Sequence, residues 1–151
     1  MKMKRIFLSL LVLSMFTISL SAQEMDMKSV VSQLQTYLDG VEENATIAIS
    51  DEGVVTYTKR FADKENDYRA VFRLSNVEIL LEKVKEENYI EGEPNYYMKF
   101  LCEDKKEPCI LYTKLSDESS TNSYKFTNFP VWTLENGEDA VKKFKNLKSE
   151  F

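Results

Sequence analysis

The residues whose type and spacing most invite chemistry in this chain are two sulfurs, Cys102 and Cys109. In an oxidising space, thiols that face each other close to a disulfide, and the alternation of apolar residues around these two places them opposite one another. A C-x-x-C redox spacing is absent. The expectation is therefore a structural bridge, with two thiols packed as small apolar side chains as the alternative. A second group is Asp63, Glu65 and Asp67, alternating acids of the kind that hold Ca²⁺. A calcium loop of the EF-hand type needs glycine at its sixth position and glutamate at its twelfth. Counted from Asp63 these are Tyr68 and Leu74, so a solvated loop is the plainer reading. Glu42, Glu43, Asp51 and Glu52 are also close in sequence, and carboxylate pairs hydrolyse glycosides when they flank a cleft roughly 5–10 Å apart. These four fall where a helix ends and a hairpin turns, positions where acids are common.

The chain has no histidine. That removes Ser-His-Asp and Cys-His nucleophile activation in their usual form, zinc sites built on histidine, and haem attachment through C-x-x-C-H. Two cysteines cannot make an all-cysteine zinc site. Neither G-x-x-x-x-G-K-[ST] nor G-x-G-x-x-G occurs among the four glycines. No catalytic residue, cofactor or metal ligand is assigned. What remains is a candidate binding surface of aromatic residues. Tyr96 and Tyr97 are strand neighbours that point to opposite faces, so one of them should be exposed. Trp132, the single tryptophan, is expected to pack under the last helix, with a ligand platform as the lesser reading.

The framework that holds these residues comes after an export signal. Lys2, Lys4 and Arg5 precede an apolar stretch from Ile6 to Leu20, and Ser19-Leu20-Ser21-Ala22 puts small residues where a signal peptidase cuts. This order predicts a cleavable signal over residues 1–22 and a single domain over 23–151. The stretch is shorter than the roughly 20 apolar residues of a membrane span, and no cysteine comes next to carry a lipid. Its Ser-Ala-Gln ending resembles those of Gram-negative exported proteins, so the expected location is periplasmic or secreted. The signal holds three of the 20 basic residues and none of the 25 acidic ones. Residues 23–151 therefore carry 17 basic against 25 acidic groups, a net charge of −8. Such an acidic surface repels nucleic acid and anionic membranes.

Met27, Val30, Val31, Leu34, Leu38 and Val41 recur at helical spacing, with Asp26 placed to cap the helix and Gly40 to stop it. A hairpin comes next. A three-residue turn Asp51-Glu52-Gly53, with Gly53 left-handed, pairs Ile49 with Val55 and Ile47 with Tyr57, and Phe61 ends the second strand. Tyr68, Ala70, Phe72 and Leu74 alternate as a strand. Residues 76–88 fit two templates. Ser75-Asn76-Val77-Glu78 resembles a capping box and slightly favours a helix, yet Val77, Ile79 and Leu81 also alternate. Tyr96, Met98, Phe100 and Cys102 share one strand face, and Cys109, Leu111, Thr113 and Leu115 share another. Read as a hairpin, they set Cys102 against Cys109 and Phe100 against Leu111. Tyr124, Phe126 and Phe129 suggest one more strand, interrupted by Pro130. Asn136 is placed to cap a last helix that buries Ala140, Val141, Phe144, Leu147 and Phe151.

The predicted class is α+β: a mainly antiparallel, bent sheet of about five to seven strands, with an N-terminal helix and a closing C-terminal amphipathic helix. The order resembles the pleckstrin-homology and GRAM-like fold. The resemblance rests on the strand-turn-strand over 46–61, the strand 68–74 running into Ser75-Asn76-Val77-Glu78, the cysteine segment and the closing helix over 139–147. It implies a scaffold and not lipid binding, because the turn after the first strand is Asp51-Glu52-Gly53 where lipid-reading members carry a basic loop. A strand over 76–88 favours this resemblance and a helix weakens it. The functional expectation is a non-catalytic extracytoplasmic binding domain for a protein or an apolar small molecule, without nucleic acid and without membrane once the signal is removed. The alternatives are an inhibitor or accessory subunit of an exported enzyme, and a carboxylate-based hydrolase.

Overall fold

In the computed structural model of the chain, residues 27–39 and 44–151 are described. The predicted signal, and the expected cap and stop at Asp26 and Gly40, lie outside them. Residues 27–39 form helix α1. Eight strands come after it: β1 Ala45–Ile49, β2 Val54–Lys59, β3 Tyr68–Arg73, β4 Val77–Lys83, β5 Tyr96–Cys102, β6 Ile110–Lys114, β7 Asp117–Tyr124 and β8 Phe126–Val131. Helix α2, Leu134–Lys148, closes the chain. The strands make two sheets, β1-β2-β3-β6-β7 and β4-β5-β8, and every pairing is antiparallel. The class is α+β, as the pattern predicted.

The first hairpin has the expected register, Ile49 opposite Val55 and Ile47 opposite Tyr57. Gly53 sits at φ +71°, and a Cβ there would lie 2.6 Å from the Phe151 ring. That close approach is a second reason for glycine beyond the turn. The second strand stops at Lys59, short of the expected Phe61, which is 41% exposed. Leu74–Asn76 is one 3₁₀ turn, and the ambiguous segment after it is strand β4 rather than a helix. The would-be capping Ser75 hydroxyl donates to Asn76 Oδ1 instead, and Val77, Ile79 and Leu81 pair with Cys102, Phe100 and Met98. Tertiary pairing decided between two templates that were locally close.

The cysteine hairpin is corrected. Cys102 and Cys109 are bonded, with an S–S distance of 2.06 Å. Strand β5, however, pairs with β4 and β8, while β6 pairs with β3 and β7. The bridge thus joins the two sheets. On β6 the buried residue is Ile110, and Leu111 is exposed, so the inward face is the opposite of the one expected. Two further differences lie downstream. The polar residues before Tyr124 form an edge strand, β7, and Tyr124 ends that strand instead of joining Phe126 and Phe129 in β8. Pro130 lies inside β8, also an edge, where no partner needs its missing N–H. The last helix is capped by Thr133, whose side chain accepts from Asn136 N–H at 3.1 Å, rather than by Asn136.

The inner faces meet through aromatic rings. Tyr57 stacks on Phe129 at 4.4 Å, Phe72 packs on Phe100 at 4.9 Å, and Phe100 meets the edge of Phe144 from α2 at 5.0 Å. Geometry of this kind adds to the burial itself. Val30, Leu34 and Leu38 of α1 complete the same core.

Candidate functional site

Among the described residues, the space where both helices meet the sheets is nearly filled. The space between α1, α2 and the sheets, lined by Leu34, Tyr37, Met98, Phe129 and Phe144 among others, amounts to about 10 Å³, the lower limit for a single water. A recess lies on the surface, a groove of about 560 Å³ between α1 and β1. Its helical wall includes Met27, Val31 and Gln35, and its strand wall Ile47, Ala48 and Ile49, with Asp51 at the hairpin end.

The groove arises from how α1 is seated. Val30, Leu34 and Leu38, spaced by four, are buried, which turns Val31 and Gln35 sideways toward the open flank of β1. Gln35 reaches that edge. Its Nε2 donates to the Ala45 carbonyl at 2.8 Å and to Asp39 Oδ1 at 2.7 Å, and its Oε1 accepts from Ile47 N–H at 3.0 Å. Beyond this contact the helix stands off, and Met27, Val31 and Ile49 remain only partly covered.

A second cluster ties α1 to α2. Tyr37 donates its hydroxyl to Asp139 Oδ2 at 2.7 Å, and Lys143 donates to the same oxygen. The Lys143 hydrogen bond first, and then that of Tyr37, hold the Asp139 carboxyl below its usual pKa. The hydrogen bond to Asp139, helped by burial, pushes the Tyr37 phenol up. A tyrosine acting as base or nucleophile needs the opposite shift, so this cluster fastens two helices together.

The sequence-derived candidates are scattered. Tyr96 packs against the core, and its neighbour Tyr97 is half-buried on the other face, opposite Glu82 and Pro130. Trp132 is 39% exposed just before the cap of α2, rather than packed beneath it. In the acidic loop, Asp67 is not solvated. It is 4% exposed, accepts from Phe61 N–H at 2.6 Å and pairs with Arg60 at 3.5 Å. Its carboxylate thus holds the loop closed from within, and no cluster of three metal-binding side chains occurs among the described residues. Asp51 and Glu52 are exposed at the turn, with Glu52 paired to Arg73. The groove itself was missed. Gln35, a polar residue flanking the helical stripe, was its one trace.

No family model, curated protein or solved structure matches the chain. No helix among the described residues is long and apolar enough to cross a membrane.

Proposed function

We propose that this chain is an exported, non-catalytic interaction module that recognises a protein partner at its surface. The observation that carries the reading is the contrast between a space of about 10 Å³ where the helices meet the sheets and a surface groove of about 560 Å³. A binder of apolar small molecules needs an enclosed, largely apolar pocket, and the space of about 10 Å³ between α1, α2 and the sheets does not supply one. Export is supported by the residue order over 1–22 and by the disulfide, since such bonds persist outside the cytoplasm. The non-catalytic half is supported by the acids. Asp67 is the one buried acid among the described residues, and its carboxylate is bonded within its own loop. The pleckstrin-homology-like scaffold belongs to the same proposal. Strand β4, two antiparallel sheets and a closing helix support it.

Site-specific photo-crosslinking in the native host tests the reading. A crosslinker at position 31, in the groove wall, should trap one protein reproducibly, and the same group at Thr121 on β7 should not. Equal crosslinking at both positions, or none at 31, overturns it. An inhibitor or accessory subunit would be recognised by the trapped partner being an exported enzyme.

A further inference from the structure

Along β1 the backbone groups divide by parity. Arg60 N–H donates to the Asn44 carbonyl at 3.2 Å, and Ser50 N–H to the Val54 carbonyl at 3.0 Å. The even residues thus face β2, and by strand alternation the odd ones direct their N–H and C=O groups the other way. The Gln35 carboxamide takes up the first of these, the Ala45 carbonyl and the Ile47 N–H. A primary amide carries the donor and acceptor of a peptide unit, so Gln35 stands where one residue of an added strand would stand. Further along the same edge come the Ile47 carbonyl and both backbone groups of Ile49. No described group bonds them, and they lie in the open part of the groove.

We propose that the groove takes an extended segment of a partner polypeptide, added as a strand alongside β1 next to Gln35. This rests on the surface-recognition reading and gives that surface its ligand chemistry. A line of backbone donors and acceptors at strand spacing is met by another backbone, and main-chain bonds then supply affinity while alternate side chains supply specificity. On one side the incoming side chains meet Met27, Val31, Ile47 and Ile49, which selects apolar residues. On the other they emerge beside exposed Thr46 and Ala48, which selects small polar ones. Two acids, Asp39 and Asp51, stand against one cation, Lys28, among the groove residues, and the chain beyond the predicted signal carries −8. The segment is therefore alternating and carries a net positive charge. A second copy of this chain is disfavoured as the occupant because it brings like charge to like, Asp39 and Asp51 at each groove and −8 on each chain beyond the predicted signal.

The test uses the protein as isolated after export and a blocked peptide with three Thr-Val repeats and a terminal lysine. A control peptide carries N-methyl groups on the residues whose N–H would face β1. Binding should slow hydrogen exchange at the Ile49 amide at least tenfold and leave Thr46 and Ala48, already bonded to β2, unchanged. The N-methylated peptide and the I49P variant should each weaken binding at least tenfold. Proline is tolerated on an edge strand, and thermal unfolding verifies that I49P folds. Should I49P not fold, the N-methylated peptide gives the same answer on the unaltered chain. No binding at 1 mM peptide (about the weak limit for so short a strand), equal binding by the N-methylated peptide, or unchanged exchange at Ile49 overturns the proposal. If position 31 still crosslinks its partner in I49P at undiminished yield, the strand is overturned while surface recognition stands. Loss of the position 31 crosslink in the unaltered protein removes both.

Discussion

The two helices do different jobs on the same core. Helix α2 seals. It buries Gly137, Ala140, Phe144 and Leu147, and Gly137 lets strand β4 approach so closely that a Cβ there would meet Leu81 Cδ1 at 2.6 Å. Its C-terminal end is fastened too, for Lys148 donates to the Val77 carbonyl at 2.7 Å and also reaches Glu103, beside the Cys102 bridge. Helix α1 seals along one stripe and leaves its flank open. A small residue facing the sheet brings a helix into contact, while a long polar one at the edge, Gln35, holds the helix at the distance of a side chain. A groove beside a filled core results from that one difference.

The contrast is broken most directly by cutting into α2. Phe144→Ala should cost about 3–5 kcal/mol, because the ring is fully buried against Phe100 and the core around it cannot easily collapse. Leu34→Ala in α1 should cost less, about 2–3 kcal/mol, if the open flank lets the helix settle into the space. Chemical unfolding of both variants checks the order, and a larger loss for Leu34→Ala would mean that α1 is the tighter helix. Next in size is the bridge beside α2. Replacing Cys102 and Cys109 together by alanine should cost about 2–3 kcal/mol for so short a loop. Hydrogen exchange should show the loss at the α2 end of β4 and β5, with α1 little changed. Exchange rising equally in both helices would refute a local staple.

The cap of α2 comes third. Thr133→Ala removes the acceptor for Asn136 N–H and should cost about 1 kcal/mol, read as a fall in the unfolding midpoint. Thr133→Ser should restore most of it. If serine restores nothing, the threonine methyl rather than its oxygen matters at that position.

How much of this was legible depended on whether the deciding forces were local. The β1–β2 register was legible because the turn Asp51-Glu52-Gly53 and the flanking alternation both fix it. The β5–β6 relation was not. Cys102 and Cys109 fit a hairpin and a sheet-to-sheet bridge equally well in sequence, and only the inward turn of Ile110 separates the two. Strand β7 was invisible because it has one neighbour and is polar on both faces, so no hydrophobic period marks it. The groove was invisible for a related reason. It is a space between a helix and a strand edge, and the apolar residues at 27, 31 and 49, only partly covered, read as ordinary core until the helix is seen to stand off.

The smallest effect probes the tie between the helices. Tyr37→Phe deletes a hydrogen bond to a carboxylate while keeping the ring. With 37% of the Asp139 side chain in water, its cost at neutral pH should be about 1 kcal/mol or less. The pH profile separates this bond from packing. The folded pKa of Asp139 is depressed, so its contribution is present above the unfolded value near 3.8 and is lost as pH falls through the lower folded value. The folded pKa of Tyr37 is raised, so its contribution is present below 10.0 and is lost as pH rises through the higher folded value. The difference between wild type and Tyr37→Phe should therefore be flat across neutral pH and shrink at both extremes. Unfolding curves at acid, neutral and alkaline pH measure it directly. A difference unchanged in acid would show that the Tyr37 hydroxyl contributes without the ionised Asp139 carboxylate, and the bond to that carboxylate would not be what ties α1 to α2.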